Sequence, residues 1–115
     1  MKDQAESSWS EEAYVAYLNA ERALYAWCLE KHGNYSAADA TKESLSFYKY
    51  EPESAPYRGL VLHDEAWHWA MLKIFGDLYW KKYPELESVS EEYKKEADKL
   101  HNKAMETTTF RRAKS

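Results

Sequence analysis

The chain is poor in residues that break helices and in residues that cross-link a fold. Its 115 residues include only three glycines, three prolines and one cysteine. So few glycines and prolines argue against a turn-rich β fold, and one cysteine excludes an internal disulfide framework. Cys28 itself is best explained as a small buried hydrophobe. We therefore expect an all-α protein of a reducing compartment, the cytoplasm.

Long apolar runs and an excess of positive charge are also missing. Twenty acidic residues against sixteen basic ones give a formal net charge of −4. This argues against nucleic acid as a partner, because non-specific binding needs a basic surface that neutralises phosphates. No uncharged stretch is long enough to span a bilayer, and residues 1–10 lack the apolar core of a signal peptide. We expect a protein that binds neither nucleic acid nor membrane.

Helix-start and helix-stop signals outline three of the four predicted helices. Ser10 and Gly33 bound the first, Ser36 begins a shorter second helix that stops near Tyr50, and Ser90 begins the last. On the first helix one charged residue, Glu21, falls on the apolar side. A carboxylate in that position needs a partner.

The third predicted helix has the most unusual composition. It follows a loop that contains Pro52 and Pro56, and apolar positions cover nearly its whole circumference over residues 64–83. We therefore predict a compact single-domain bundle of about four helices around this central aromatic-rich helix, with residues 1–9 and 107–115 as frayed tails.

Two histidines and two carboxylates cluster where that helix begins, at His63, Asp64, Glu65 and His68. Glu65 and His68 have the Glu-x-x-His spacing by which di-metal carboxylate bundles present two ligands from one helix. A complete site needs more ligands, and the nearest candidates are Glu21 and the Asp98 and His101 pair. The structural alternative is that Asp64 caps the helix and that His68 is a neutral core histidine.

The doublet His63-Asp64 also belongs to a wider pattern. It lies after His32 and before Asp77 and Asp98. A histidine, a His-Asp doublet and a later aspartate, in that order, are used by the all-helical metal-dependent phosphohydrolases of the HD superfamily, which this chain resembles at those positions alone. The resemblance implies a metal cofactor and hydrolysis at the doublet. A metal-dependent enzyme with ligands among His63, Asp64, Glu65 and His68 is therefore the alternative functional hypothesis.

Ten tyrosines and five tryptophans point in another direction. Such residues are enriched where a protein surface meets a partner. Trp69, Gly76 and Trp80 fall on one line of the predicted third helix, where the glycine would permit close approach of another backbone or ring. Either the first two helices of the protein or a partner would cover this line. The other candidate interface residues form a mixed aromatic and acidic rim: Tyr14, Tyr25, Tyr35, Tyr57, Glu21, Glu51 and Glu53.

The leading functional hypothesis is therefore a protein-binding protein without catalytic activity and without a cofactor. It would mask a basic surface of a protein partner, as small acidic helical inhibitors, immunity proteins and phage-encoded anti-defence proteins do. A homodimer that uses the line of Trp69 and Trp80 is the nearest variant of this hypothesis.

Overall fold

A serine precedes each of the three longest helices. The computed structural model describes the backbone of residues 10–114 and the side chains of residues 10–105. Each serine hydroxyl accepts a hydrogen bond from the amide three residues further on: Ser10 from Ala13, Ser36 from Asp39 and Ser90 from Tyr93. These bonds satisfy amides that the first helical turn leaves without partners. The helices are α1 (Glu11–Gly33), α2 (Ala37–Phe47) and α5 (Glu91–Lys114), so the predicted helix starts are confirmed.

The end of α1 differs slightly from the prediction. Gly33 is still helical, and Asn34 takes the left-handed conformation (φ 64°) that ends the helix. Gly33 matters for packing instead, because a Cβ there would lie 3.0 Å from Cγ1 of Ile74. The glycine therefore allows the end of α1 to lie close to the third main helix.

The prediction of one continuous helix over residues 64–83 is wrong. Helix α3 (Ala66–Phe75) is followed by a break and by the short helix α4 (Tyr79–Lys82), and 3-10 turns lie before and after them at Leu60–His63 and Pro84–Leu86. Gly76 ends α3 with φ 90° and ψ −176°, and Leu78 has φ 59°. Only glycine adopts the conformation of Gly76 without strain, which is why the chain turns there although its apolar pattern continues.

The substitution Gly76→Ala tests this break by the sign of its effect. In a continuous helix the alanine would stabilise the protein by about 1 kcal/mol. At a left-handed extended position it should instead cost about 1–3 kcal/mol of the free energy of unfolding. No described atom lies within 4 Å of the place that the alanine Cβ would occupy, so a steric clash would not confuse the result. Urea unfolding measures the difference, and the neighbouring Asp77→Ala serves as the control; a more stable Gly76→Ala would contradict the break.

Helix α1, and not the segment 64–83, is the central element of the bundle. Helices α2, α3 and α5 all pack against it. Helix α5 runs antiparallel to α1, since Lys31 pairs with Glu92 near one end and Glu21 with His101 further along. The long buried side chains of α1 form much of the core: Tyr14, Leu18, Leu24, Tyr25, Cys28 and Leu29. Because the break at Gly76 leaves α3 only ten residues long, this helix packs mainly on α1 and does not reach every neighbour.

The all-α domain is confirmed over the described residues, whose backbone forms helices and turns around one hydrophobic core. None of the described helices combines the length and the apolar character needed to cross a membrane. Helix α5 is helical as far as Lys114. The predicted fraying of the two tails stays a prediction, because residues 1–9 and the side chains of residues 106–115 lie outside the described part of the chain.

Candidate functional site

The four predicted ligands at the start of α3 are not gathered around one point. His63, Asp64 and Glu65 are exposed, whereas His68 is half-buried and its Nδ1 lies 3.0 Å from the hydroxyl of Tyr79. Among the described residues, no three His, Cys, Asp or Glu side chains come together in a way that could hold a metal ion. The four predicted ligands therefore lie near one another in the chain without converging on one point.

The structural alternative is right that His68 is an anchor, although the residue is half-buried and not part of the core, and it is wrong for Asp64. His68 is an anchor in an aromatic cluster, with a phenol as its hydrogen-bond partner. The residue before α3 is Glu65, so Asp64 does not occupy the N-cap position. Asp64 instead lies between the 3-10 turn Leu60–His63 and the helix, where its carboxylate is exposed.

The residues on which the resemblance to the HD superfamily depends do not lie together in space either. The His32 ring packs against Trp67, with 5.2 Å between ring centroids, and burial lowers its pKa. Asp77 and Asp98 are exposed, one at the break after α3 and the other on α5. The order of these residues in the chain is therefore not matched by a cluster in space.

Glu21 has the partner that its position on α1 requires, and the partner is His101 of α5. The two side chains are joined by a 2.6 Å contact between Oε2 and Nε2. The identity of this partner was missed, although pairing the two longest helices in antiparallel fashion would have placed residue 101 near residue 21. Since Glu21 is only 2% exposed, it belongs to the core and cannot line a binding surface.

Trp69 and Trp80 come together around His68 rather than along one helical line. The His68 ring centroid lies 5.0 Å from that of Trp69 and 6.4 Å from that of Trp80. The Trp69 indole also donates to the carbonyl of Val61 at 3.0 Å, and both tryptophans are half-buried. Gly76 does not lie between them as a contact point, because it forms the break. This line is therefore largely covered by the protein itself.

The tyrosines of the predicted rim divide into buried and exposed ones. Tyr14 and Tyr25 are 2% and 1% exposed, so they are core residues and must be removed from the interface. Tyr35 is half-buried. Tyr57, in contrast, is 81% exposed, and it is the most exposed of the large hydrophobic side chains described.

Tyr57 lies in a long irregular connection, residues 48–59, which we call, together with Leu60 at its end, the Tyr57 loop. Loops of this length without regular structure are uncommon in small domains and often carry binding functions. Tyr57 has φ 61°, a left-handed conformation that costs a residue with a Cβ free energy. Leu60, three residues later, is 58% exposed. Two large apolar side chains are therefore exposed to water here, and one of them, Tyr57, is carried by a strained backbone.

A group of polar and aromatic contacts fastens the Tyr57 loop to α1. The guanidinium of Arg58 lies 3.8 Å above the ring centroid of Tyr14 and pairs with Glu11 at 2.7 Å. The Tyr50 hydroxyl donates to the same carboxylate, and the two hydrogen bonds lower the pKa of Glu11. Glu51 accepts a hydrogen bond from the amide of Gly59 at 2.9 Å, and this bond connects the two ends of the loop.

Reasoning from the sequence found Tyr57, Glu51 and Glu53 but missed Arg58 and Leu60. The prolines at 52 and 56 marked the loop, yet its fastening depends on Tyr14 and Glu11, which lie far away in the chain. Comparisons with protein-family models, curated proteins and solved structures found no match for this chain. Its function must therefore be inferred from the loop and its surroundings.

Proposed function

We propose that this protein is a non-catalytic binding protein that masks a basic surface of a protein partner with its Tyr57 loop. The observation that carries the proposal is the exposure of Tyr57 at a positive φ in a loop that is otherwise well fastened. Strain of this kind persists where the surrounding structure enforces it, and it is often found at functional sites. Tyrosine supplies a large and rigid contact area at low entropic cost.

The fastening of the loop favours tight binding. Pro52 and Pro56 restrict the free loop, and Arg58 and Glu51 hold its two ends. A loop that is already ordered loses less conformational entropy when it binds. Tyr57 and Leu60 would therefore contribute most of the apolar contact without a large ordering cost.

Charge supports a basic partner. Glu11 neutralises Arg58, so the guanidinium adds little positive field at the loop. Carboxylates outnumber cations in and just after the loop: Glu51, Glu53, Asp64 and Glu65 against Lys49 and Arg58. Glu53, Asp64 and Glu65 are exposed, and the whole chain carries −4. Such a field would accelerate encounter with a cationic surface.

The test is site-specific photo-crosslinking in cells that make the protein. A photoreactive phenylalanine replaces Tyr57 in one variant and Ala23, an exposed residue of α1, in the matched control. We expect one discrete adduct from position 57 that is absent from position 23. The purified partner should then bind the unmodified protein with a defined stoichiometry and lose its own activity. Added salt and Glu53→Lys should both weaken the complex.

Three results would contradict the proposal. One is an identical set of adducts from both positions, and another is a contact surface on the partner that is acidic. The third is an adduct of twice the protein's own mass, which would favour the homodimer and assign the Tyr57 loop to self-association.

A further inference from the structure

The contact between α1 and α5 contains a buried ionisable pair that the proposed function does not use. The side chain of Glu21 is 2% exposed and that of His101 is 31% exposed, and Oε2 and Nε2 lie 2.6 Å apart. The His101 ring also stacks on Tyr17, with 5.0 Å between ring centroids and 8° between their planes. The position of the imidazole is therefore set by two contacts with α1.

Beside this pair, few apolar side chains of the described part of α5 are buried. Among the described residues of α5, Tyr93 alone is buried, while Ala97 and Leu100 are partly buried. These side chains offer a thin apolar stripe. Moreover, Oε1 of Glu21 is buried without a hydrogen-bond partner in the described part of the chain, so His101 is important for neutralising this carboxylate.

The phenols and the thiol that surround the pair do not ionise near neutral pH. Burial, with a further contribution from Glu21, raises the pKa of Tyr17 and of Tyr93, as it does for Tyr48 after α2. The same causes raise the pKa of Cys28 to about 12. These phenols and the thiol therefore stay neutral. The remaining facing groups are the carboxylates of Glu65, before α3, and Asp98, on α5.

We propose that Glu21 and His101 form a proton-sensitive latch that holds α5 against α1 and loosens as the pH rises above neutrality. With the imidazole protonated, a charged hydrogen bond joins the helices and compensates the buried carboxylate. When His101 loses its proton, the remaining hydrogen bond is uncharged and Glu21 is left buried without a counter-charge. The helix α5 then opens more often, independently of any partner at the Tyr57 loop.

The direction of the pH dependence follows from the pKa of His101. The hydrogen bond that His101 donates to Glu21 raises this pKa above its ordinary value, and the nearby carboxylates add to the effect while burial opposes it. The folded protein therefore binds this proton more tightly than the unfolded chain does. The stabilisation is fully present below the ordinary pKa of about 6.5 and is lost as the pH rises through the folded-state value.

Hydrogen exchange of the α5 amides tests the latch in the full chain. Protection factors remove the pH dependence of the intrinsic exchange rate, so they report the opening equilibrium itself. Between about pH 6 and about pH 8.5 we expect opening to increase about threefold or more at residues 91–105, a figure that allows for the partial exposure of His101. Nuclear magnetic resonance of the imidazole should show His101 titrating above the ordinary histidine pKa of about 6.5.

Two variants distinguish the effect of the latch from other causes of pH-dependent opening of α5. His101→Gln keeps a hydrogen-bond donor but cannot titrate, so its α5 protection should not change with pH. His63→Gln, the matched control on an exposed histidine, should behave like the natural protein. If the natural protein has pH-independent α5 protection, or if His101→Gln keeps the full pH dependence, the latch is wrong. The wild-type titration of His101 decides the matter even if His101→Gln does not fold.

Discussion

Trp67→Ala should lower the free energy of unfolding by about 3–5 kcal/mol, the largest effect expected of any single substitution discussed for this protein. Trp67 is 3% exposed, and its indole donates to the carbonyl of Leu86 at 2.9 Å. Its ring also contacts Tyr93 of α5 and His32 near the end of α1. Its removal would leave a cavity where three helices meet and would leave the Leu86 carbonyl, at a partly buried position, without its donor.

Urea unfolding followed by circular dichroism measures this loss. Trp67→Phe should recover part of the stability because it refills much of the volume, although it lacks the indole donor. Trp69→Ala is the matched control, since Trp69 is half-buried and should cost clearly less. A loss at Trp67 of less than about 2 kcal/mol, or one no larger than that at Trp69, would contradict this central role.

Tyr57→Gly should weaken binding to the partner and at the same time raise the stability of the folded protein. Removing the ring should weaken association with the crosslinked partner by about 2 kcal/mol or more, a factor of about 30, because exposed aromatic anchors dominate binding energies. The same change removes the left-handed strain at φ 61° and should raise the free energy of unfolding by about 1 kcal/mol. Few other substitutions would stabilise the protein and abolish its function together.

Titration calorimetry with the purified partner and thermal unfolding provide the two measurements. Tyr57→Phe should keep most of the affinity, because the ring remains. Leu45→Ala, at another exposed hydrophobic residue outside the loop, should leave affinity unchanged. If Tyr57→Gly binds as tightly as the natural protein, the loop is not the binding site. If it is less stable, the positive φ of Tyr57 does not strain the loop.

Features that depend on residues close together in the chain were predictable from the sequence. Ser10, Ser36 and Ser90 mark helix starts because a hydroxyl accepts from an amide three residues away, which involves no distant part of the chain. The long loop before α3 was predictable for a similar reason, since Pro52 and Pro56 oppose helix formation wherever they occur. The need of Glu21 for a partner followed from helical periodicity alone.

The break at Gly76 was not predictable in this way. Apolar residues continue on both sides of it, and glycine within a helix costs only about 1 kcal/mol, too little to indicate a break. The difference between buried and exposed tyrosines was missed for a related reason. Tyr14 and Tyr57 look alike in the sequence, yet one is buried under Arg58 and the other is exposed. Their difference depends on where the loop crosses α1.

The amino-acid sequence by itself thus determined the helical class, the helix starts and the loop, because these depend on interactions between residues close together in the chain. The tertiary structure alone decided that α1 is central, that His101 is the partner of Glu21, and that Tyr57 and Leu60 face the solvent. These features depend on contacts between residues far apart in the chain. Such contacts arise only when the helices pack, and no local pattern encodes them.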